Sequence, residues 1–454
     1  MAAYLRPGRA RRLSASFLGL TLFLAPLLAT QNQVLSLDEA VKLALERNER
    51  ALATREDVRA ANARVDRARS FFLPTITTTG VYQRRAYEVK RLVGDTEVVI
   101  QRFNGFSNAF GLNLTLFDAR SLAGLSAVRA QRNANVAAAT ESRRQLAFEV
   151  SQAFLTTLGT AQVQEASNRR LAFAGQSLEA AKARYAAGLT SINDVTRAEL
   201  EYATAEVGVT QVKGQVETSI LQLGYLLDAP DAVRGRLVVP EFLIEAASAE
   251  AANSEGLVEE ALARRLDVGS LRWLAASQRT LAKVPMLGWL PSLSASGQYR
   301  ITNEGSQPSM GTLANNRTWN WNVGATLSWT LFDGMARFSD QRERKALAKL
   351  ADLDVGAATR RVDVEVREAL VSLENQRASL KQASVAQDVA KKNAAETAEL
   401  YRQGLASALE VADANVSLFE AEVALVRERY GLGVAFLNLE AALGLDPFGK
   451  EPLT

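Results

Sequence analysis

The sequence contains no cysteine and no histidine among its 454 residues. Without cysteine the chain can form no disulfide, offers no thiolate nucleophile and lacks the residue that a lipoprotein anchor needs. Without histidine it has no Ser-His-Asp triad and no side chain that normally titrates near neutral pH. The zinc sites built from these two residues are excluded as well. We therefore expect no enzyme, no cofactor and no metal site.

Acidic residues are missing from the first thirty positions, which contain four arginines and an apolar run over 13–29. Without these arginines the formal net charge changes from +3 to −1. A basic start followed by an apolar run and small or polar residues is typical of a secretory signal. We predict that residues 1–30 are a cleaved signal peptide and that the mature protein is exported. The alternative is an uncleaved membrane anchor, for which the run is short.

Long uncharged stretches are also missing after residue 30. A transmembrane helix needs about 20 mostly apolar residues in succession, so none is expected in the mature chain. Only helices and closed barrels satisfy every backbone polar group inside a bilayer. If the exported chain enters a membrane again, it must do so as a β-barrel.

An internal repeat organises what the chain does contain. Three distinctive segments recur after about 216 residues: Leu-Pro at 73–74 and 290–291, Leu-Phe-Asp at 116–118 and 331–333, and Tyr-x-x-Gly-Leu at 185–189 and 401–405. Because the spacing barely drifts, chance matches are a poor explanation. We predict a first structural repeat over 31–245 and a second over 246–454, joined by a segment that contains Pro230, Pro240 and Gly256.

Each repeat has the same predicted order of elements. Residues 37–70 have apolar positions at helical spacing, and Ser36 with Glu39 predicts a capping box at their start. Strict alternation then replaces the helical period and predicts strands over 72–83, 106–117, 289–300 and 319–332. The two strands of each repeat are separated by polar loops that contain Gly94-Asp95 and Asn315-Asn316.

Proline is absent from residues 119–187, which are rich in alanine at spacings of three and four. This pattern predicts a coiled-coil helix on the order of 100 Å long. Gly188 interrupts it, and a second helix is expected over 192–227; the second repeat shows the same interruption at Gly404. Helices of this length do not fit inside a compact globule, so they form either a rod or the wall of a tube.

The strands distinguish between these two possibilities. Between 319 and 331, tryptophan, valine and leucine alternate with asparagine, threonine, serine and glycine, as in a lipid-facing barrel with a wet lumen. A soluble antiparallel sheet over a helical core alternates in the same way and remains the alternative. Four strands cannot close a barrel, and an open edge cannot face lipid. Two chains would supply eight strands, whose interior is filled, whereas three would supply twelve and leave a lumen.

Together these motifs resemble the TolC-like outer-membrane factors, the exit ducts of tripartite efflux pumps and type I secretion systems. The resemblance rests on the order, spacing and duplication of the Leu-Pro, Leu-Phe-Asp and Tyr-x-x-Gly-Leu motifs and on the opening at 36–40. It implies a mainly α-helical protein whose long coiled-coil hairpins and four strands per chain assemble as a homotrimer. The trimer would have a twelve-stranded membrane β-barrel in the outer membrane and an α-helical tunnel in the periplasm.

Two helical hairpin tips are the first candidate functional site. At each tip a glycine is expected to cap one helix in the left-handed conformation, a leucine to lie at the apex and a serine to begin the next helix. The residues are Gly188, Leu189, Ser191, Gly404, Leu405 and Ser407. From the residues alone, each tip is a turn between helices. The resemblance adds that these tips contact a periplasmic adaptor protein.

Acidic residues near the second tip are the other candidate site. Glu410 and Asp413 are three apart on one helix face, so three copies would place six carboxylates around an axis. Such acids are also common at solvated helix starts, where they suit the helix dipole. The resemblance implies a periplasmic gate in which Tyr401 links to Asp194. It also places Ala406 where relatives carry a basic residue, so part of the lock is missing.

The predicted function is a passive export duct that works with a periplasmic adaptor, an inner-membrane transporter and outer-membrane lipid, but with no nucleic acid. The sequence contains no motif that resembles a phosphate-binding loop, so it does not indicate a pump with its own energy source. The first alternative is a non-channel periplasmic or surface coiled-coil scaffold, which would be soluble without detergent. The second is a glycosidase-like use of the acidic ring, but a symmetric ring does not supply the asymmetric carboxylate pair that this chemistry needs.

Overall fold

The computed structural model describes residues 34–248, 254–305 and 317–451, so the predicted signal peptide over 1–30 and the loop residues Asn315-Asn316 lie outside the described residues. Helices dominate the described part of the chain. In chain order they are α1 (Leu37–Arg47), α2 (Glu49–Ser70), α3 (Ala119–Ala186), α4 (Ile192–Leu227), α5 (Pro230–Val233), α6 (Glu241–Ser248), α7 (Ser254–Arg264), α8 (Leu266–Leu281), α9 (Val284–Leu287), α10 (Ala336–Arg402) and α11 (Ala408–Ala442). None of the described helices is both long and apolar enough to cross a bilayer.

The strands form one four-stranded sheet and two small pairs. Their bounds are β1 (Val34–Leu35), β2 (Thr75–Arg84), β3 (Val89–Val93), β4 (Thr96–Gln101), β5 (Asn104–Phe117), β6 (Arg236–Leu237), β7 (Ser292–Gly305) and β8 (Arg317–Ser328). The large sheet is antiparallel in the order β2-β5-β7-β8, which joins strands from both halves of the chain through β5 and β7. Strands β2 and β8 are therefore its two edges.

Both faces of the large sheet are largely open to solvent in the single chain. Every residue of β8 is exposed, including Trp319, Trp321 and Val323. The register places Trp321 opposite Tyr299 on β7, so bulky side chains of neighbouring strands share one face. A continuous row of exposed aromatic and aliphatic side chains marks a surface that contacts another protein or a membrane. The sheet of the single chain therefore lacks the partner that would cover it.

Two long helical hairpins extend from the centre of the molecule. Helices α3 and α4 form one, and α10 and α11 form the other. The 68 residues of α3 correspond to about 100 Å of helix, and no proline interrupts them. Around the middle of the hairpins the core packs Phe154 and Leu155 of α3 against Leu223 of α4 and Leu437 of α11. Toward the tips, burial falls to the small cluster of Leu178, Ala181 and Val195.

The structure differs from the sequence prediction at several boundaries. The helix predicted over 37–70 is two helices, since Asn48 caps α2 by accepting a hydrogen bond from the Arg50 N–H and also donates to the Leu226 carbonyl. Strands predicted over 72–83 and 289–300 begin at Thr75 and Ser292, directly after prolines that have no N–H to donate. The strand predicted over 106–117 begins at Asn104, and the one over 319–332 is Arg317–Ser328.

The predicted polar loop around Gly94-Asp95 contains the hairpin of β3 and β4. Gly94 adopts a φ of +63° between Val93 and Thr96, which suits a tight hairpin turn that glycine tolerates best. The segment predicted as a linker is likewise partly structured, because it contains α5, β6 and α6. Strand β6 pairs in parallel with β1, which ties this segment to the start of the described chain.

Candidate functional site: the hairpin tips and the groove between them

The first hairpin tip is closed by Gly188. Its φ of +73° lies in the left-handed region, where a side chain would be strained. The Gly188 N–H donates to the Tyr185 carbonyl at 2.9 Å, and the Leu189 N–H donates to the Arg184 carbonyl at 2.9 Å. This pair of bonds is a Schellman motif, which satisfies the last carbonyls of α3. Leu189 is left at the apex with 77% of its surface exposed.

The second tip repeats this geometry at Gly404, whose φ is +80°. The Gly404 N–H donates to the Tyr401 carbonyl at 3.1 Å, and the Leu405 N–H donates to the Leu400 carbonyl at 2.8 Å. Leu405 is 72% exposed, nearly as much as its counterpart at the first tip. Each tip therefore presents one apolar side chain that the fold of the single chain leaves in water.

The serines that follow the tips behave differently. Ser407 caps α11 in a complete capping box: its hydroxyl accepts from the Glu410 N–H, and its own N–H donates to Glu410 Oε2 at 2.7 Å. Ser191 is at the equivalent position before α4 but makes no side-chain capping bond. There the hydroxyl of Thr190 donates instead to the carboxylate of Asp194.

The acids of the second tip are exposed at the start of α11. Glu410 is exposed, and hydrogen bonds from the Ser407 N–H and hydroxyl lower the pKa of its carboxyl. Asp413 is exposed one turn further along the helix, while the neighbouring Val411 and Ala414 are buried. Both carboxylates are therefore exposed and have no basic partner among the described residues.

Tyr401 contacts a basic residue of the other hairpin. The guanidinium carbon of Arg184 lies 4.1 Å from the centre of the Tyr401 ring, and the same guanidinium donates to the Tyr401 carbonyl at 3.3 Å. A cation over an aromatic face is attracted to the ring quadrupole. Across the described residues no hydrogen bond joins Tyr401 to Asp194. Ala406, where relatives are expected to carry a base, is half-buried.

A groove between the two hairpins opens beside this contact. It has a cavity volume of about 680 Å³ and is lined by all four long helices. Phe173 of α3 and Phe419 of α11 contribute aromatic surface, and Tyr401 and Asp194 lie along the wall. Of the residues predicted for the gate, the structure thus brings Tyr401 and Asp194 to one groove, while Glu410 and Asp413 lie outside its lining.

Arg184 and the groove were not predicted from the sequence. Arg184 lies 217 positions from Tyr401, and an arginine in the last turn of a helix is ordinarily explained by the helix dipole. The groove arises from the packing of one hairpin against the other, which periodicity within either hairpin does not specify. The sequence signals that could have indicated the groove are two aromatic residues within the long helices, Phe173 between two alanines and Phe419 after Leu418.

Comparison with known proteins gives matches over nearly the whole described chain. The family model described as outer membrane efflux protein matches twice, over 40–228 and 257–445. Outer membrane protein TolC of Vibrio cholerae is 23% identical over 435 residues, which cover 94% of this chain and 95% of that protein.

Solved structures share the fold. The outer membrane protein VceC of Vibrio cholerae superposes with a TM-score of 0.74 at 18% identity and covers 90% of this chain and 96% of its own. The open state of the MtrE outer membrane channel of Neisseria gonorrhoeae gives a TM-score of 0.75 at 17% identity, with 92% and 91% covered. The CmeC outer membrane channel of Campylobacter jejuni gives 0.74 at 16% identity, with 93% and 87% covered.

Proposed function

The chain belongs to the outer membrane efflux protein family, and from this premise we propose how it forms a conduit. It is an outer-membrane exit duct of efflux systems, with its helical tunnel in the periplasm. The family consists of channel proteins. Their members act as trimers together with an adaptor and an inner-membrane pump, and this chain takes the same place in such an assembly.

The observation that carries the architecture is the four-stranded sheet with two unpaired edges. Among the described strands, β2 and β8 each have an outer row of backbone groups without a partner strand, although the sheet exposes apolar side chains. Such edges cannot face lipid. Three copies pair β8 of one chain with β2 of the next and close a twelve-stranded barrel, and six hairpins from three chains form a twelve-helix tunnel.

The duct is built from two structural repeats, over 31–245 and 246–454. The same order of helix, two long strands and a long helical hairpin in each half supports this division. So does the family model, which matches once in each half. Because β5 of the first repeat pairs with β7 of the second, the two repeats contribute adjacent pairs of strands to one sheet.

The hairpin tips are the adaptor contacts. Gly188, Leu189 and Ser191 form one tip, and Gly404, Leu405 and Ser407 form the other. The exposure of both leucines supports this role, since an apolar side chain at the end of a long hairpin gains nothing from its own chain and becomes buried when a partner docks. Substrate passage is passive, and the inner-membrane pump supplies the energy.

The periplasmic gate comprises Asp194, Tyr401, Glu410 and Asp413. Glu410 and Asp413 of three chains form an acidic ring, and the exposure of both side chains in the single chain supports this placement. Tyr401 and Asp194 belong to the layer behind the ring, in the groove between the hairpins. When the gate closes, the second hairpin moves against the first.

The proposed trimer is tested by extracting the protein from membranes and measuring the mass of the purified particle. We expect the protein to leave the membrane only in detergent and to have, by light scattering, the mass of three chains after subtraction of the detergent. The purified trimer should conduct ions in a planar bilayer. A monodisperse monomer in detergent, or recovery with the soluble proteins, would contradict the proposed architecture and favour a scaffold.

A further inference from the structure

The groove between the hairpins has unneutralised positive charge. Five arginines line it, and three of them, Arg169, Arg170 and Arg402, make ion pairs with glutamates. Arg184 and Arg197 have no carboxylate within ion-pair distance among the described residues. Arg184 is near the end of α3 and Arg197 near the start of α4, so the two lie on neighbouring helices of one hairpin.

Aromatic and aliphatic surface adjoins this charge. Phe173 and Phe419 are half-buried on opposite hairpins and line the same cavity. The Phe419 ring also lies under the guanidinium of Arg170, with the guanidinium carbon 4.9 Å from the ring centre. A pocket with apolar walls and a small number of charged groups is the usual composition of a site for a small organic ligand.

The volume of the cavity favours a small molecule over a protein helix. A helix with its side chains is about 10 Å across, so a cavity of about 680 Å³ holds fewer than two helical turns. The same volume is within the range of pockets that enclose drug-sized ligands, about 300–1,000 Å³. Five arginines and three carboxylates, Asp194, Glu201 and Glu422, line the cavity, so its lining has a formal net charge of +2. Asp194 accepts a hydrogen bond from the Thr190 hydroxyl. This excess of positive charge favours an anionic ligand.

We infer that this groove binds a small amphiphilic organic anion, with its aromatic or aliphatic body between Phe173 and Phe419 and its anionic group at Arg184 and Arg197. The ligand contacts both hairpins at once. Its affinity therefore depends on their relative position, and by linkage its binding favours the arrangement in which the two hairpins enclose it. The site lies beside Tyr401 and Asp194, which the proposed function assigns to the gate, but binding of an anion to the groove does not itself depend on that function.

Two fluorescent probes of nearly the same shape test the inference on the purified trimer in detergent. The anionic probe is 8-anilino-1-naphthalenesulfonate, and the control is N-phenyl-1-naphthylamine, which lacks the sulfonate. Arg197→Gln removes one of the cations without partners. Because Arg197 is exposed on α4 and makes no described hydrogen bond, the substitution leaves packing intact. Arg361→Gln makes the same charge change at an exposed site of α10 that does not line the groove.

We expect Arg197→Gln to weaken binding of the sulfonate probe about tenfold or more, because a hydrogen bond to a charged group is lost. Arg361→Gln should bind as the unchanged protein does, and Arg197→Lys should restore part of the affinity. The neutral probe should bind all variants equally, since micelle and barrel contribute the same background. In hydrogen exchange, the sulfonate probe should slow exchange of peptides over 166–202 and 398–422.

Three results would overturn the inference. Equal sulfonate affinity in Arg197→Gln and the unchanged trimer would show that the arginine contacts no anion. Protection of the two peptides by the neutral probe as strongly as by the sulfonate would reduce the groove to an unspecific apolar surface. An absence of protection there would mean that the groove is not a site at all.

Discussion

Arg184 of the first hairpin stacks on the ring of Tyr401 in the second and donates a hydrogen bond to the carbonyl of the same residue. Both residues are half-buried one turn before their hairpin tips. The contact crosses from one hairpin to the other, so outward movement of the second hairpin breaks it. Arg184 therefore places a cation beside Tyr401, although position 406, where relatives are expected to carry a basic residue, is alanine.

The first prediction concerns this contact. The ring face and the carbonyl of Tyr401 touch Arg184, so Tyr401→Phe keeps both interactions and should leave conductance near that of the unchanged duct. Tyr401→Ala or Arg184→Gln should destabilise the closed state by about 1–2 kcal/mol and raise the open-to-closed ratio roughly 5–30-fold. Single-channel recordings measure this ratio. A large gain in Tyr401→Phe alone would show that the hydroxyl, and not Arg184, holds the gate.

The second prediction concerns the hairpin tips. Replacing both Leu189 and Leu405 with Asp should abolish export, because a charge placed at the apex opposes burial against an adaptor. Both side chains are exposed, so trimer yield and bilayer conductance should stay unchanged. A matched pair of Leu→Met substitutions keeps the apolar surface and should export normally. Full export by the double Asp variant would remove the contact role, and loss of trimer would assign the leucines to the fold.

The third prediction concerns the acids at the start of α11. In the proposed trimer, six carboxylates near one axis attract cations, and hard divalent ions suit carboxylate oxygens. The duct should be cation-selective and blocked by divalent cations added from the periplasmic side. The combined substitutions Glu410→Gln and Asp413→Asn should weaken both properties, whereas Glu46→Gln, an exposed acid of α1, should not. Reversal potentials in a salt gradient decide this, and unchanged values in the double variant would place the acids on the outer wall.

The pH dependence of the third prediction follows from Ser407. Its N–H and hydroxyl bind the ionised form of Glu410 and lower the pKa of that carboxyl in the single chain. Ser407→Ala keeps the N–H and removes the hydroxyl, so it removes part of this support and should shift the loss of cation selectivity modestly to higher pH as the solution is acidified. The same change removes a helix cap, which is worth about 1 kcal/mol of stability. Selectivity that titrates identically in both proteins would contradict a contribution from Glu410.

The fourth prediction concerns Glu440, a buried carboxyl at the end of α11. One of its oxygens has no described hydrogen-bond partner. Burial and the nearby charge of Asp446 raise its pKa to about 7, against the smaller opposing effect of Arg264. Because the folded chain holds this proton more tightly than the unfolded chain does, stability is highest below the unfolded pKa. It is lost progressively as the pH rises to about 7.

Glu440→Gln cannot ionise and should remove this loss. We expect the variant to match the unchanged protein near pH 4 and to exceed it by about 3 kcal/mol at pH 8. Denaturant unfolding of the trimer at both pH values measures the difference. The exposed Glu451 serves as a control, since Glu451→Gln should not reproduce the pH-dependent gain. A constant difference between Glu440→Gln and the unchanged protein at all pH values would mean that folding does not raise the pKa of Glu440.

The family resemblance drawn from the repeated motifs is confirmed by the family match over both halves of the chain. The long helices were predictable because their periodicity is local and their ends are set by Asp118 and Gly188. The β3–β4 hairpin was missed, although Gly94-Asp95 is a turn signal, since its strands of 5 and 6 residues are short and lack strict alternation. The Arg184–Tyr401 contact was beyond prediction, because it depends on how two hairpins pack and joins residues far apart in the sequence.

The two edges of the large sheet are different described strands, β2 and β8, so in the proposed trimer the junction between copies joins unlike surfaces. Such a head-to-tail contact closes only if every copy presents both surfaces. A copy with a damaged edge leaves the whole ring open instead of weakening it by one third. Where intact and damaged copies are made in equal amounts, only about one trimer in eight contains three intact copies. Mutations at the sheet edges should therefore be genetically dominant.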